Sequence, residues 1–205
     1  MPVIHILYSE PDGSTFDGNL PTLKWESPDS VWAAEAVRRL PEFQAAWERE
    51  GPAYLQNAFQ LVRLDFPYHE MQVALTVSSI HSMSQPLLIN VRRYLAAAQP
   101  TTVRPVGLGV FCEEVFHQLM SHYVRPVYGR SELLKKYASD SPVVRSQLHV
   151  MALEVLVLTR LGKTEELAYI DREYKTNSPP GYARAWQIVR AEGAEAFVTE
   201  LAHLR

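Results

Sequence analysis

Cysteine is nearly missing from this chain of 205 residues, and its scarcity excludes several classes of protein. The single residue, Cys112, cannot form an internal disulfide framework or build a zinc module that needs several thiolates. It lies on the apolar face of a predicted helix, which favours a buried, inert thiol over a reactive nucleophile. The chain is long enough for one domain with a single sizeable hydrophobic core.

An excess of positive charge is missing as well. The 20 lysine and arginine residues are balanced by 23 acidic residues, and the formal net charge is −3 without any basic block. This balance argues against nucleic acid as the main partner. No run of 18 or more apolar residues occurs, and residues 1–8 lack the basic start of a signal peptide. We therefore expect a cytoplasmic protein that does not span a membrane.

Three widespread functional motifs are also absent, namely G-x-S-x-G, the phosphate-binding P-loop and G-x-G-x-x-G. Serine hydrolase, nucleotide triphosphatase and dinucleotide-binding functions therefore have no support in the sequence. The chemistry has to be sought where carboxylates and imidazoles lie close together.

Strand-forming patterns are confined to the first half of the chain. Residues 3–8 form a short β-branched and apolar run that ends in turn residues. Residues 71–79 and 85–91 have strand-like composition and a short polar connection, which predicts a hairpin added to the first strand. Pro86, at the start of the second hairpin strand, favours an edge position in the sheet.

Helical patterns fill most of the remaining chain. After an ordered loop over residues 9–30, we predict three helices, interrupted at Pro41 and at Gly51-Pro52. From residue 100 onward the patterns are all helical, with predicted helices at 105–125, 131–137, 142–161, 163–174, 182–192 and 194–204. This order predicts a mostly helical α+β fold with a small antiparallel sheet in the N-terminal half. We expect one domain over residues 1–205, with strands and helices in 1–99 and a helical half in 100–205.

Carboxylates and imidazoles crowd together in one helical segment, residues 107–123. Glu113 and His117 are four residues apart and are therefore neighbours on a helix, while Glu114 precedes His117 by three residues. A carboxylate and an imidazole one turn apart can chelate one metal ion, and an adjacent carboxylate can act as a base. The alternative interpretation is a polar stripe that faces solvent.

A second carboxylate stands out in the predicted helix 142–161. Glu154 falls on an apolar face of this helix, and a buried carboxylate is costly unless it is paired, protonated or bound to a metal. One alternative for Glu154 is a structural ion pair with an arginine of a neighbouring helix. His149 points to the opposite side of the helix, so we interpret it as a core histidine.

The segment E-E-V-F-H at residues 113–117 resembles the H-E-x-x-H motif of the zincin metallopeptidases, with glutamate in place of the first histidine. The order of strands, this helix and a later helix with a buried glutamate is also similar to that family. The resemblance implies metal ligation by Glu113, His117 and Glu154, and a general-base role for Glu114. Two carboxylates and one imidazole form a hard donor set, which suits Mn or Fe(II) better than Zn. The implied activity is hydrolysis of a peptide or amide bond in a peptide or small-molecule substrate.

Other functions remain open at this point. A relative of zincins that has lost its metal would be a non-catalytic binding protein or an enzyme that works without a metal cofactor. A further alternative is a carboxylate-bridged di-iron protein, because Glu114–His117 and Glu200–His203 are both E-x-x-H elements. In that case Glu154 would be one of the additional bridging carboxylates.

Overall fold

The fold was analysed in a computed structural model that describes residues 1–9, 30–63 and 68–204. Within these ranges, the side chains of residue 30 and of residues 126–128 are not described. Most of the predicted loop 9–30 lies outside the described residues. The described chain is mostly helical with a small four-stranded sheet in the N-terminal half, so the predicted α+β class is confirmed.

The chain divides into two compact units. The first, which we call the sheet unit, comprises Pro2–Glu50 and Tyr68–Gln118. The second, the helical unit, comprises Gly51–Pro67 and Leu119–Arg205 together with Met1. Helices Leu40–Val62 (α2) and Leu108–Val124 (α3) contribute residues to both units. The expectation of one domain over the whole chain stays a prediction.

The sheet contains four strands, Val3–Tyr8 (β1), Glu70–Thr76 (β2), Met83–Ser84 (β3) and Leu87–Asn90 (β4), in the order β1-β2-β4-β3. Strands β1 and β4 both pair with β2 in the parallel direction, and only β3 and β4 are antiparallel. The prediction of an antiparallel sheet was therefore wrong, since the sheet is mixed. The segment between β2 and β4 returns the chain so that β4 runs in the same direction as β2. Strands β3 and β4 form the tight hairpin, and β3 lies in the predicted polar connection.

The position predicted for the second strand also has to be corrected. Strand β4 lies between β2 and β3 and is not an edge strand. Pro86 falls in the turn that joins β3 to β4, ahead of the first residue of the strand. Because a proline in the turn removes no hydrogen bond from the ladder, an inner strand can follow it directly.

The outer edge of β1 is covered by one side chain of α2. The backbone N–H of Ile6 donates to Gln44 Oε1 at 2.8 Å, and Gln44 Nε2 donates to the carbonyl of Ile4 at 3.1 Å. Alternate backbone groups of an edge strand point away from its neighbour and would otherwise remain open for pairing. The amide of Gln44 therefore replaces part of a missing strand.

The predicted break at Gly51-Pro52 was wrong, because helix α2 runs without interruption from Leu40 to Val62. Buried apolar residues recur along both halves of the helix at helical spacing, and Pro52 itself is exposed. Pro52 has no N–H to donate to the carbonyl one turn earlier. The burial on either side of Pro52 offsets that loss. The break predicted at Pro41 is close to an observed one. A separate helix, Ser30–Arg38 (α1), ends just before α2 begins at Leu40.

An aromatic cluster forms part of the core of the sheet unit. The rings of Phe43 and Phe111 lie 4.7 Å apart, and the ring of Tyr94 meets Phe111 edge-on at 5.6 Å. All three side chains are fully buried. Through these contacts, α2, the short 3-10 helix Arg92–Tyr94 and α3 pack against one another within the sheet unit.

The helical unit is arranged around Pro142–Arg160 (α5), which packs against Thr164–Thr176 (α6), Pro180–Glu192 (α7) and Ala194–Leu204 (α8). The ends of α5 are set by local signals: Ser141 Oγ accepts from the N–H of Val144, Pro142 occupies the first turn, and Gly162 has φ 67°. A short helix, Glu132–Lys136 (α4), precedes it. By length and hydropathy α5 could cross a membrane, but 67% of its apolar window is buried, as in a soluble core helix.

Replacing Gln44 by Ala should lower the free energy of unfolding by about 1–2 kcal/mol, because two backbone groups of β1 lose their partner. Gln56→Ala is the matched control, since Gln56 is an exposed residue of the same helix. That control should change stability by less than about 0.5 kcal/mol. Urea titration of both variants checks the expectation, and equal midpoints would contradict the edge-covering role of Gln44.

Candidate metal centre

Helix α3 places Glu113 and His117 on consecutive turns. The alternative of a solvent-facing stripe does not apply to these two residues, because they are only 6% and 4% exposed. Helix α3 is buried on most of its surface, and its partly exposed positions include Glu114 and Gln118. The polar stripe in the sequence therefore predicted a more exposed helix than the one observed. The two side chains instead bring a carboxylate and an imidazole into the protein interior.

Glu154 occupies the middle of α5 and is fully buried. This burial confirms what the apolar pattern of residues 142–161 predicted. The helix is buried along most of its length, so the backbone positions the carboxylate rigidly among apolar neighbours. A carboxylate there must accept hydrogen bonds, lie near a positive charge or be protonated.

The three predicted ligands lie close together. One ligand atom from each of Glu113, His117 and Glu154 lies within 4.8 Å of the other two. Ligands that share one ion at bond lengths of about 2.0–2.3 Å are themselves roughly 3–4.5 Å apart, so only small side-chain movements are needed. In the part of the chain that the structure describes, no other group of three histidine, cysteine, aspartate or glutamate side chains has this arrangement.

The chemistry of this group also fits a metal ion. Two buried carboxylates at such a short distance repel each other when both are ionised. A divalent cation balances both charges, and the imidazole supplies a neutral nitrogen ligand. Glu113, His117 and Glu154 are therefore the residues that could hold an ion.

Glu114, the predicted general base, does not belong to this group. Its two carboxylate oxygens accept hydrogen bonds from the hydroxyls of Ser82, on Oε1, and Tyr94, on Oε2 at 2.5 Å. Burial, followed by the nearby Glu114 carboxylate, raises the pKa of Tyr94 well above its ordinary value. Tyr94 is therefore a protonated donor throughout the neutral range, and it can donate its hydrogen bond to Glu114.

Ser82 is itself held in place by Asn90. The backbone N–H of Asn90 donates to Ser82 Oγ at 2.9 Å, while its side-chain amide donates to the carbonyls of Ser78 and Ile80. Asn90 is the last residue of β4, so the sheet positions the connection that carries Ser82. Sequence reasoning missed Ser82, Asn90 and Tyr94. Their separation from Glu114 in the chain leaves no local pattern that could have revealed them.

A second carboxylate network, which is partly buried, lies in the helical unit. Glu200 accepts hydrogen bonds from Ser131 Oγ at 2.5 Å and from the backbone N–H of Leu133 at 2.9 Å. His149 Nε2 lies 2.7 Å from Glu200 Oε2, and His149 is fully buried, which confirms its interpretation as a core histidine. His203, the partner of Glu200 in the E-x-x-H element, is exposed. The observed partners of Glu200 thus give the di-iron alternative no support.

The pKa values of this pair are shifted by their surroundings. Burial lowers the pKa of His149, and the Glu200 carboxylate offsets only part of that effect. For Glu200, burial acts to raise the pKa, but the hydrogen bonds from Ser131, Leu133 and His149 together outweigh it and lower the pKa. Both groups therefore resist protonation in the folded protein more than they would in the unfolded chain.

Comparisons with known proteins identify no relative. No protein-family model, no curated protein and no solved structure matches the chain. The resemblance to zincins stays a prediction based on residues 113–117 and on the later buried glutamate. Any function must be argued from the side chains themselves.

The shifted pKa of His149 predicts a loss of stability in mild acid. Because the unfolded histidine titrates near pH 6.5, the unfolded state binds the extra proton first, and the free energy of unfolding should fall below that pH. The slope is at most about 1.4 kcal/mol per pH unit for one proton. Glu200 acts in the same direction at lower pH, since its stabilisation is lost as the pH falls through its lowered pKa.

Urea titrations between pH 8 and pH 5 measure this slope. His149→Gln should flatten it between pH 6.5 and pH 5, since glutamine can still donate to Glu200 but does not titrate. His203→Gln, on the same helix as Glu200 but exposed, should leave the slope unchanged. A slope that is the same in wild type and in both variants would show that His149 does not control it.

Proposed function

We propose that Glu113, His117 and Glu154 bind one divalent metal ion, and that the protein is a zincin-like metal-dependent hydrolase of a peptide or amide bond. The observation that carries the proposal is the convergence of these three buried side chains within 4.8 Å. The E-E-V-F-H segment adds the resemblance to the zincin motif. The substrate class is a peptide or a small molecule with an amide bond.

The donor set favours particular ions. Two carboxylates and one imidazole are harder than the ligands of most zinc peptidases, so Mn or Fe(II) should compete well with Zn. A bound ion would supply a Lewis acid that polarises a carbonyl group of the substrate. The side chains of these ligands are buried, which largely excludes water, and one helix holds Glu113 and His117 one turn apart.

Glu114 is the proposed general base. The hydroxyls of Ser82 and Tyr94 donate to its two oxygens and fix the orientation of its carboxylate. To accept a proton from a water molecule, one oxygen of Glu114 would use its remaining lone pair or release one hydroxyl. Ser82 and Tyr94 are thus positioning residues in this proposal, because they hold the base by hydrogen bonds.

One observation favours a second candidate, a non-catalytic binding protein on the same scaffold. All three proposed ligands are at most 6% exposed, and a substrate needs more access than that to reach a catalytic ion. In this case the ion would contribute stability alone, as structural metal sites do. The extensive burial of α5 and the composition support a soluble, cytoplasmic location in either case.

Wild-type protein purified without chelator should take up one equivalent of Mn, Fe(II) or Zn, measured by elemental analysis after desalting. Glu113→Gln and His117→Ala should lose that uptake, because each removes a ligand. Added metal should also stabilise the wild type, by about 2.7 kcal/mol when the free ion is 100-fold above its dissociation constant. The isosteric Glu154→Gln should show reduced uptake and a smaller thermal shift.

The matched control for metal uptake is His122→Gln. His122 is a half-buried histidine of the same helix that lies outside the group of three, so this variant should bind metal like the wild type. If the folded wild type takes up no stoichiometric metal with any of the three ions, the hydrolase proposal fails. Glu113, His117 and Glu154 would then form a proton-sharing structural cluster.

The role of Glu114 has its own test. Glu114→Gln should keep metal uptake and lose about 100- to 10,000-fold in the rate of hydrolysis of a fluorogenic peptide mixture, since the general base is gone. Tyr94→Phe, which removes only one hydrogen bond to Glu114, should cost less. Full metal uptake with no peptide hydrolysis in the wild type would favour the non-catalytic candidate. A Glu114→Gln variant as active as the wild type would remove Glu114 from the mechanism.

A further inference from the structure

The helical unit contains an open cavity that the metal proposal does not use. Its volume is about 380 Å³, and its walls come from the last turns of α5, from α8 and from the end of α2. This volume lies within the range of about 300–1,000 Å³ that small-molecule sites occupy. The apolar part of the lining consists of Leu61, Leu156, Val198 and Ala202. Such a lining suits a hydrocarbon group.

Two guanidinium groups stand at the same cavity. Arg63 and Arg160 both line it, and in the described parts of the chain neither makes a side-chain hydrogen bond or an ion pair. Other arginines of the protein do pair with acids, as Arg184 does with Asp140. Glu195 is the only acidic residue among those that line the cavity. The charge of the lining is therefore positive, with two arginines against one glutamate.

The backbone at Arg63 adds a separate observation. Arg63 follows the last residue of α2 and has φ 55°, in the left-handed region that usually favours glycine. A long side chain in that conformation is strained, and such strain tends to be kept where a side chain has a specific position to fill. Here the conformation places Arg63 in the lining of the cavity.

We propose that this cavity binds a small organic carboxylate with an apolar body. The carboxylate would receive charge-assisted hydrogen bonds from Arg63 and Arg160, whose planar groups match its geometry. The hydrocarbon part would cover Leu61, Leu156, Val198 and Ala202. Glu195 disfavours polyanions such as nucleotides, because each further negative charge on the ligand would face its carboxylate. The site is independent of Glu113, His117 and Glu154 and does not rest on the proposed function.

Octanoate is the probe, and isothermal titration calorimetry with the full chain is the measurement. Arg160→Gln and Arg63→Gln should each weaken octanoate binding about tenfold, and the double variant should abolish it. Arg130→Gln is the matched control, since Arg130 is an exposed arginine outside the cavity, and its affinity should equal that of the wild type. Because Arg160 is exposed, Arg160→Gln should fold normally even if Arg63→Gln does not.

Two further variants test the apolar and the acidic parts of the lining. Ala202→Phe should fill the cavity and remove octanoate binding, with an unchanged circular dichroism spectrum. Glu195→Gln should tighten binding about two- to threefold, because a like charge is removed. Octanamide and acetate should each bind at least tenfold more weakly than octanoate, since one lacks the charge and the other the hydrocarbon.

Three results would overturn the proposal. The first is no octanoate binding by the wild type at millimolar concentration. The second is equal affinity in the wild type and the Arg63→Gln, Arg160→Gln double variant, which would show that the arginines serve only the carboxyl ends of α2 and α5. The third is equal affinity for acetate and octanoate, which would leave an unselective anion contact in place of an amphipathic site.

Discussion

The cost of placing ionisable groups in an apolar interior is the constraint on which the chemistry of this protein depends. Helices α3 and α5 are buried over most of their surface and yet carry Glu113, His117, His149 and Glu154. Each such group must be compensated inside the protein, because water cannot do so.

Two carboxylates are compensated by donors of the protein. Glu200 receives hydrogen bonds from Ser131 and Leu133 and meets His149, and these contacts join α4, α5 and α8. Glu114 accepts hydrogen bonds from two hydroxyl groups in the same way. Glu113, His117 and Glu154 are two carboxylates and one imidazole, with one possible ligand atom of each within 4.8 Å of the other two. A cation satisfies all three together, which is the physical basis of the proposed metal site.

The sheet shows why the pairing of strands is harder to predict from the sequence than their positions. The first strand was predicted with the observed bounds, and the other two predicted segments each overlap an observed strand. The predicted pairing was wrong, because β2 and β4, which overlap these two segments, are parallel and do not form a hairpin. Direction depends on how the intervening chain returns, and a two-residue strand within that segment takes the hairpin position. Side-chain alternation is the same in both arrangements, so the pattern could not separate them.

Local physics let the sequence determine most of the helices and the burial of Glu154, although not the continuity of α2 through Pro52. The Ser141-Pro142 start and the Gly162 stop of α5 depend only on neighbouring residues, and so does the one-turn spacing of Glu113 and His117. Contacts between residues distant in the chain were determined by the tertiary structure alone. The donors to Glu114 and Glu200, and the cavity with its two arginines, have no local signature. Each depends on which helix ends and strand ends meet in space, and a linear pattern does not contain that information.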